Sequence, residues 1–117
     1  MKKILALVLA LAMMAVLACS AIAEQPTYHF EIVSKGFQST YWQAVLKGTE
    51  ARTKEINDEA GYEKITFQFV GPDAESNVAQ QVSQFESAVN ASPAAIGFAA
   101  VDQEAFVDLI AQAQSKN

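Results

Sequence analysis

The sequence predicts an α/β domain built as a doubly wound, Rossmann-like parallel sheet, and three observations predict it. Short apolar runs alternate three times with segments whose apolar residues recur at helical spacing. Glycine, proline or a capping side chain marks the boundaries between them. Strands that alternate with helices also need crossover connections, and these impose parallel pairing with right-handed βαβ units.

Each element follows from local pattern. Tyr28 to Ser34 reads as the first strand, and Thr40 to about Ala60 as a helix with the stripe Trp42, Val45, Leu46, Thr49, Thr53 and Ile56. Gly61 closes that helix, because glycine enters the left-handed conformation without steric cost. Ile65 to Val70 is the second strand, ended by Gly71-Pro72-Asp73. The second helix is predicted from about Glu75 to Asn90, with Val78, Val82, Phe85 and Val89 facing inward, and Ser92-Pro93 stops it. Ala94 to Ala100 is continuously apolar, as a strand covered on both faces should be. Asp102 then fits an N-cap for a third helix carrying Phe106, Leu109, Ile110 and Ala113. A fourth strand is expected to begin about where Ser115-Lys116-Asn117 stands, so residues 24–117 read as a partial, incomplete N-terminal lobe.

Residues 1–23 read as a signal peptide. Lys2 and Lys3 supply the positive charge, Ile4 to Cys19 is unbroken apolar sequence, and Ala21-Ile22-Ala23 is a small-x-small cleavage signal. The apolar run falls short of the roughly 20 residues that span a bilayer, which favours a cleaved leader over an anchor. The domain is therefore expected to be exported, to the periplasm or the outer face of a bacterial envelope. Val16-Leu17-Ala18-Cys19 also resembles a lipobox, in which reading a lipid anchor sits on the Cys19 thiol. Leu17 is atypical for such a motif, so Cys19 reads first as one more apolar leader residue. Losing the leader with its two lysines takes the net charge from −5 to −7 and leaves the remaining Lys and Arg scattered singly. Nucleic-acid binding, which needs clustered cations on phosphates, is excluded as a function class.

Ligands of open α/β sheets settle beyond the carboxyl ends of the strands. The first such turn, Ser34 to Trp42, holds a flexible Gly36, the polar side chains Gln38 and Ser39, and two adjacent rings, Tyr41 and Trp42, at a helix start. A sugar suits this set: its hydroxyls need paired donors and acceptors, and its C–H face lies well on an aromatic plane. Gln38, Ser39, Tyr41 and Trp42 are thus the candidate ligand-binding residues. Each has a plainer reading. Trp42 continues the core stripe, Tyr41 lies one step off it and projects outward with its hydroxyl solvated, Ser39 or Thr40 is a helix cap, and Gln38 is a loop residue; the nearby Lys35 reads as a solvated surface lysine. His29 reads as standing alone in its strand, without the acidic or sulfur neighbours of a metal site, and Asp73 and Asp102 read as turn residues. No metal, cofactor or catalytic residue is expected. The chain has no G-x-G-x-x-G at the first turn, no G-x-x-x-x-G-K-[ST] and no G-x-S-x-G, so dinucleotide, P-loop and α/β-hydrolase chemistry lack their backbone devices.

Over residues 28 to 117 the sequence resembles the periplasmic sugar-binding proteins of the ribose- and galactose-binding type, which serve ABC transporters and share their fold with LacI-type repressors. Ile32-Val33-Ser34, the stretch Ser39-Thr40-Tyr41-Trp42-Gln43-Ala44-Val45-Leu46-Lys47-Gly48, and Phe98-Ala99-Ala100-Val101-Asp102 carry the resemblance. It implies that Ser39 takes the place of a polar sugar contact, and that Tyr41 and Trp42 take the places of rings stacked on the ligand. It also implies capture of a small molecule, most simply a monosaccharide, for delivery to an ABC-transporter permease, with a second lobe closing over it. Two other classes remain open: an exported α/β enzyme whose catalytic residues lie downstream, and a LacI-type sugar-sensing regulator. The regulator needs a DNA-reading helix-turn-helix where the leader stands, which ranks it lower.

Overall fold

The computed structural model describes residues 24–116; the leader and the Cys19 lipid site lie outside the described residues. Six elements alternate: β1 (Tyr28–Val33), α1 (Thr40–Ala60), β2 (Ile65–Val70), α2 (Val78–Asn90), β3 (Ala95–Phe98) and α3 (Val107–Ser115). The strands form one parallel sheet in the order β2-β1-β3, with Tyr28 opposite Ile65 in one ladder and Phe30 opposite Ala95 in the other. The chain steps from β1 outward to β2, then back across β1 to β3. Crossovers of one hand must therefore lie on opposite faces. Side chains bear this out: α1 sets Thr49 and Thr53 beside Phe30, Ile32 and Phe67, whereas Phe85 of α2 packs on Phe98, whose partner across the ladder is Val33. The sheet is doubly wound, as the sequence predicts.

The core sits on the α2 face. Phe85, Val89 and Phe106 are buried there, with Val78, Val82, Ile96, Phe98, Leu109 and Ala113 packed around them. The rings of Phe85, Phe98 and Phe106 lie within 4.5 to 5.9 Å of one another, centroid to centroid, all tilted or edge-on as ring quadrupoles prefer. Ile110, expected in this core, instead lies at its edge and is exposed.

β1 ends at Val33, one residue before the expected Ser34, and larger boundary differences occur at the second helix, the third strand and Asp102. The second helix begins at Val78, not Glu75, because Asn77 is its cap: Asn77 Oδ1 accepts the Gln80 N–H at 3.2 Å, and the Asn77 N–H turns back to Ala74 O at 3.0 Å. The third strand covers Ala95–Phe98 only. Its ladder ends with the Ala99 N–H on Val33 O at 3.0 Å, beyond which the two chains part. Asp102 is not the cap of α3. Its Oδ1 accepts the Glu104 and Ala105 N–H groups, each at 2.9 Å, in a turn of its own, and Phe106 stands at the helix start. Gly61 does close α1, at φ 75°, its N–H reaching Asn57 O and Asp58 O. Ser92, also at positive φ, ends α2 ahead of Pro93.

No helix among the described residues is long and apolar enough to cross a membrane.

Candidate functional site

The doubly wound path fixes where the strand ends diverge. After β1 the chain turns toward the α1 face, and after β3 toward the α2 face, so the two carboxyl ends diverge at neighbouring strands. Segment 34–39, the first wall, is one side of this divergence, and 99–105 is the other.

Tight packing holds the first wall. Ser34 is fully buried, and its Oγ donates to Val70 O at 3.1 Å, tying the end of β1 to the end of β2. The Phe37 N–H donates to Pro72 O at 3.0 Å, and the Phe37 ring lies 6.4 Å from that of Phe69. Gly71 is required at this junction for closeness: a Cβ there would fall 2.2 Å from Ser34 Oγ and 3.0 Å from the Phe37 nitrogen. Gln43 reaches back from the first turn of α1, its Nε2 donating to Phe37 O at 2.6 Å and tying the loop to the helix.

Of the four predicted site residues, Gln38 and Ser39 lie in this segment, and Tyr41 and Trp42 follow in the first turn of α1. Gln38 is exposed at its tip. Ser39 occupies the N-cap position of α1 with extended φ/ψ, but its hydroxyl makes no capping bond, so the helix start keeps donors free of side-chain caps. Tyr41 is 66% exposed, whereas Trp42 is half-buried, in keeping with the stripe position it shares with Val45 and Leu46. The two rings meet edge to face, centroids 5.0 Å apart and planes at 86°. Perpendicular rings present one plane each rather than a common platform.

Sequence reasoning missed the residue that joins the walls. Gln81 of α2 is fully buried; its Nε2 donates to Ser34 O at 2.7 Å and to Ala99 O at 2.8 Å, and its Oε1 accepts the Val101 N–H at 2.8 Å. A signal was there: Gln81 is three residues after Val78 and four before Phe85, a polar residue on the inward stripe.

A correction concerns His29, which does not stand alone. Glu31, two residues on, shares its face of β1, and His29 Nε2 lies 3.0 Å from Glu31 Oε1 while Nδ1 lies 2.9 Å from Thr66 Oγ1. Both ring nitrogens are occupied, and Glu31 is buried. Among the described residues no group of three or more His, Cys, Asp or Glu is placed to hold a metal ion.

In a doubly wound sheet, the point where the ends of neighbouring strands diverge is the place where open α/β lobes take small molecules. The match to known families is more particular: residues 30–117 fit the model of the periplasmic binding protein domain, and the chain belongs to that family. No curated protein and no solved structure matches it significantly. Periplasmic binding proteins bind solutes, and that role is the one this chain shares.

Proposed function

We infer that the chain is an exported receptor that captures a monosaccharide in the crevice beyond β1 and β3 and hands it to an ABC-transporter permease. Ser39 and Gln38 supply hydrogen bonds to sugar hydroxyls, and Tyr41 and Trp42 supply apolar planes for the C–H faces. The observation that supports this reading is the aromatic pair in the first turn of α1, the helix that follows the carboxyl end of β1. With its rings perpendicular, the pair suits a ligand that lies flat on one plane and abuts the other, as a thick pyranose or furanose does. The polar tip at Gln38 fits a ligand with hydroxyls around its rim. No bond is made or broken, so the reading requires no catalytic residue.

The test is a thermal-shift screen of the full chain against D-ribose, D-galactose, D-glucose, L-arabinose and D-xylose. A ligand at a hundred times its Kd stabilises the native state by about 2.7 kcal/mol, which raises Tm by several degrees. At least one sugar is expected to do so, and Trp42→Ala to abolish the shift. A flat response to the whole panel overturns the sugar reading, and an undiminished shift in the variant returns Trp42 to a packing role.

A further inference from the structure

We propose that Gln81 is a positioning residue for the ligand crevice: one buried amide that sets the separation and register of the two walls. The proposal rests on the reading of the crevice as a ligand site, but its physical basis is separate.

Where two parallel strands part, each leaves backbone groups that the ladder no longer pairs. The last ladder bond between β1 and β3 is the Ala99 N–H on Val33 O. Immediately beyond it lie Ser34 O and Ala99 O, two carbonyls on chains that turn to opposite faces of the sheet. Without Gln81, Ser34 O would be buried and Ala99 O partly buried without a partner, and a fully buried unpaired carbonyl costs about 1–3 kcal/mol. A primary amide is the side chain suited to this junction, since its two N–H groups serve two carbonyls while its oxygen accepts a third backbone group. Gln81 uses all of these, and Val101 N–H is the third partner. Glutamate would set a carboxylate against two carbonyls. Asparagine is one methylene too short to reach from α2 to both chains.

The connection to the ligand residues is covalent and short. Ser34 is fixed on one side by the amide and on the other by Val70 O, and the chain from Ser34 runs through Phe37, itself held by Pro72 O and Gln43, into Ser39, Tyr41 and Trp42. On the far wall, Val101 leads directly into the Asp102 turn. Gln81 has no surface exposure, so it cannot touch a solute from where it stands. Its effect on binding is transmitted wholly through the two loops.

The experiment compares the full chain with Gln81→Met, which keeps length and volume but removes the amide, by backbone hydrogen exchange. Segments 34–39 and 99–105 are expected to exchange about tenfold faster in the variant, whereas residues 54–64, anchored by Asn57 on Ile65, keep the native rate. Unchanged exchange in the two loops overturns the proposal. So does acceleration everywhere, which marks a general structural role. Should Gln81→Met fail to accumulate as folded protein, Gln81→Asn is measured in the same way, with the same outcomes. A second arm titrates D-ribose and D-galactose against the fluorescence of Trp42, the chain's one tryptophan. Binding at least about tenfold weaker in the variant at a temperature well below its Tm supports the proposal, and equal binding overturns it. A wild-type chain silent to both sugars counts against the sugar reading, and the exchange arm then decides the role of Gln81.

Discussion

Each face of the sheet carries an amphipathic helix, yet only one face forms a core. On the α2 side, Phe85, Val89 and Phe106 are buried and ring packs on ring. On the α1 side no helix residue is fully buried, and an open hollow of about 390 Å³ remains between Thr49, Thr53 and the apolar strand residues Phe30, Ile32 and Phe67. The difference comes from side-chain size and placement. Helix α1 lies toward the β2 edge and faces the sheet with two threonines at mid-helix. Helix α2 lies over the central strand and brings a phenylalanine to the same depth. Periodicity reports which side of a helix is apolar, not how far the sheet beneath it is covered.

The largest effect should therefore fall on the α2 side. Phe106→Ala is expected to cost about 3–5 kcal/mol in a denaturant titration, because a fully enclosed ring leaves a cavity that its neighbours cannot fill. Leu46→Ala on the α1 side, starting half-exposed, should cost about 1–2 kcal/mol. Equal costs would erase the contrast between the faces. Next in size is Gly71→Ala, where the new methyl meets Ser34 Oγ and loop backbone; overpacking of this kind costs about 1–3 kcal/mol and should also loosen segment 34–39 in hydrogen exchange. His29→Leu leaves the buried Glu31 carboxylate without its hydrogen-bond partner and should cost about 1–3 kcal/mol by the same titration. At the small end, Arg52→Ala removes an exposed pair with Glu55 on the outer side of α1, and no change in Tm is expected.

The succession of elements was legible because each rests on local chemistry. The Gly61 cap, the Ser92-Pro93 stop and the apolar strands all depend on residues within a turn of one another. What was not legible depends on partners far along the chain. The early end of β3 follows from the divergence of the two chains beyond the Ala99–Val33 bond, and Asp102 serves a turn rather than α3 because Phe106 is drawn into the core before the helix starts. His29 and Glu31 could have been paired from the two-residue period of a strand. Gln81 could have been singled out as a polar residue on an apolar stripe, but its partners lie 47 and 18 residues away, and no local pattern names them. Of the candidate site, the turn and its two adjacent rings are a reading of the sequence. The perpendicular setting of Tyr41 on Trp42, and the amide beneath the crevice, required the fold.

Trp42 offers the most direct check on the central claim, since it is both a proposed ligand contact and the only tryptophan that can emit. The measurement is its fluorescence during titration with whichever monosaccharide raises the Tm of the full chain. The account predicts a saturable change in Trp42 emission that disappears in Tyr41→Ala. A sugar that stabilises the protein while the emission stays constant would contradict it, placing the bound solute away from the aromatic pair.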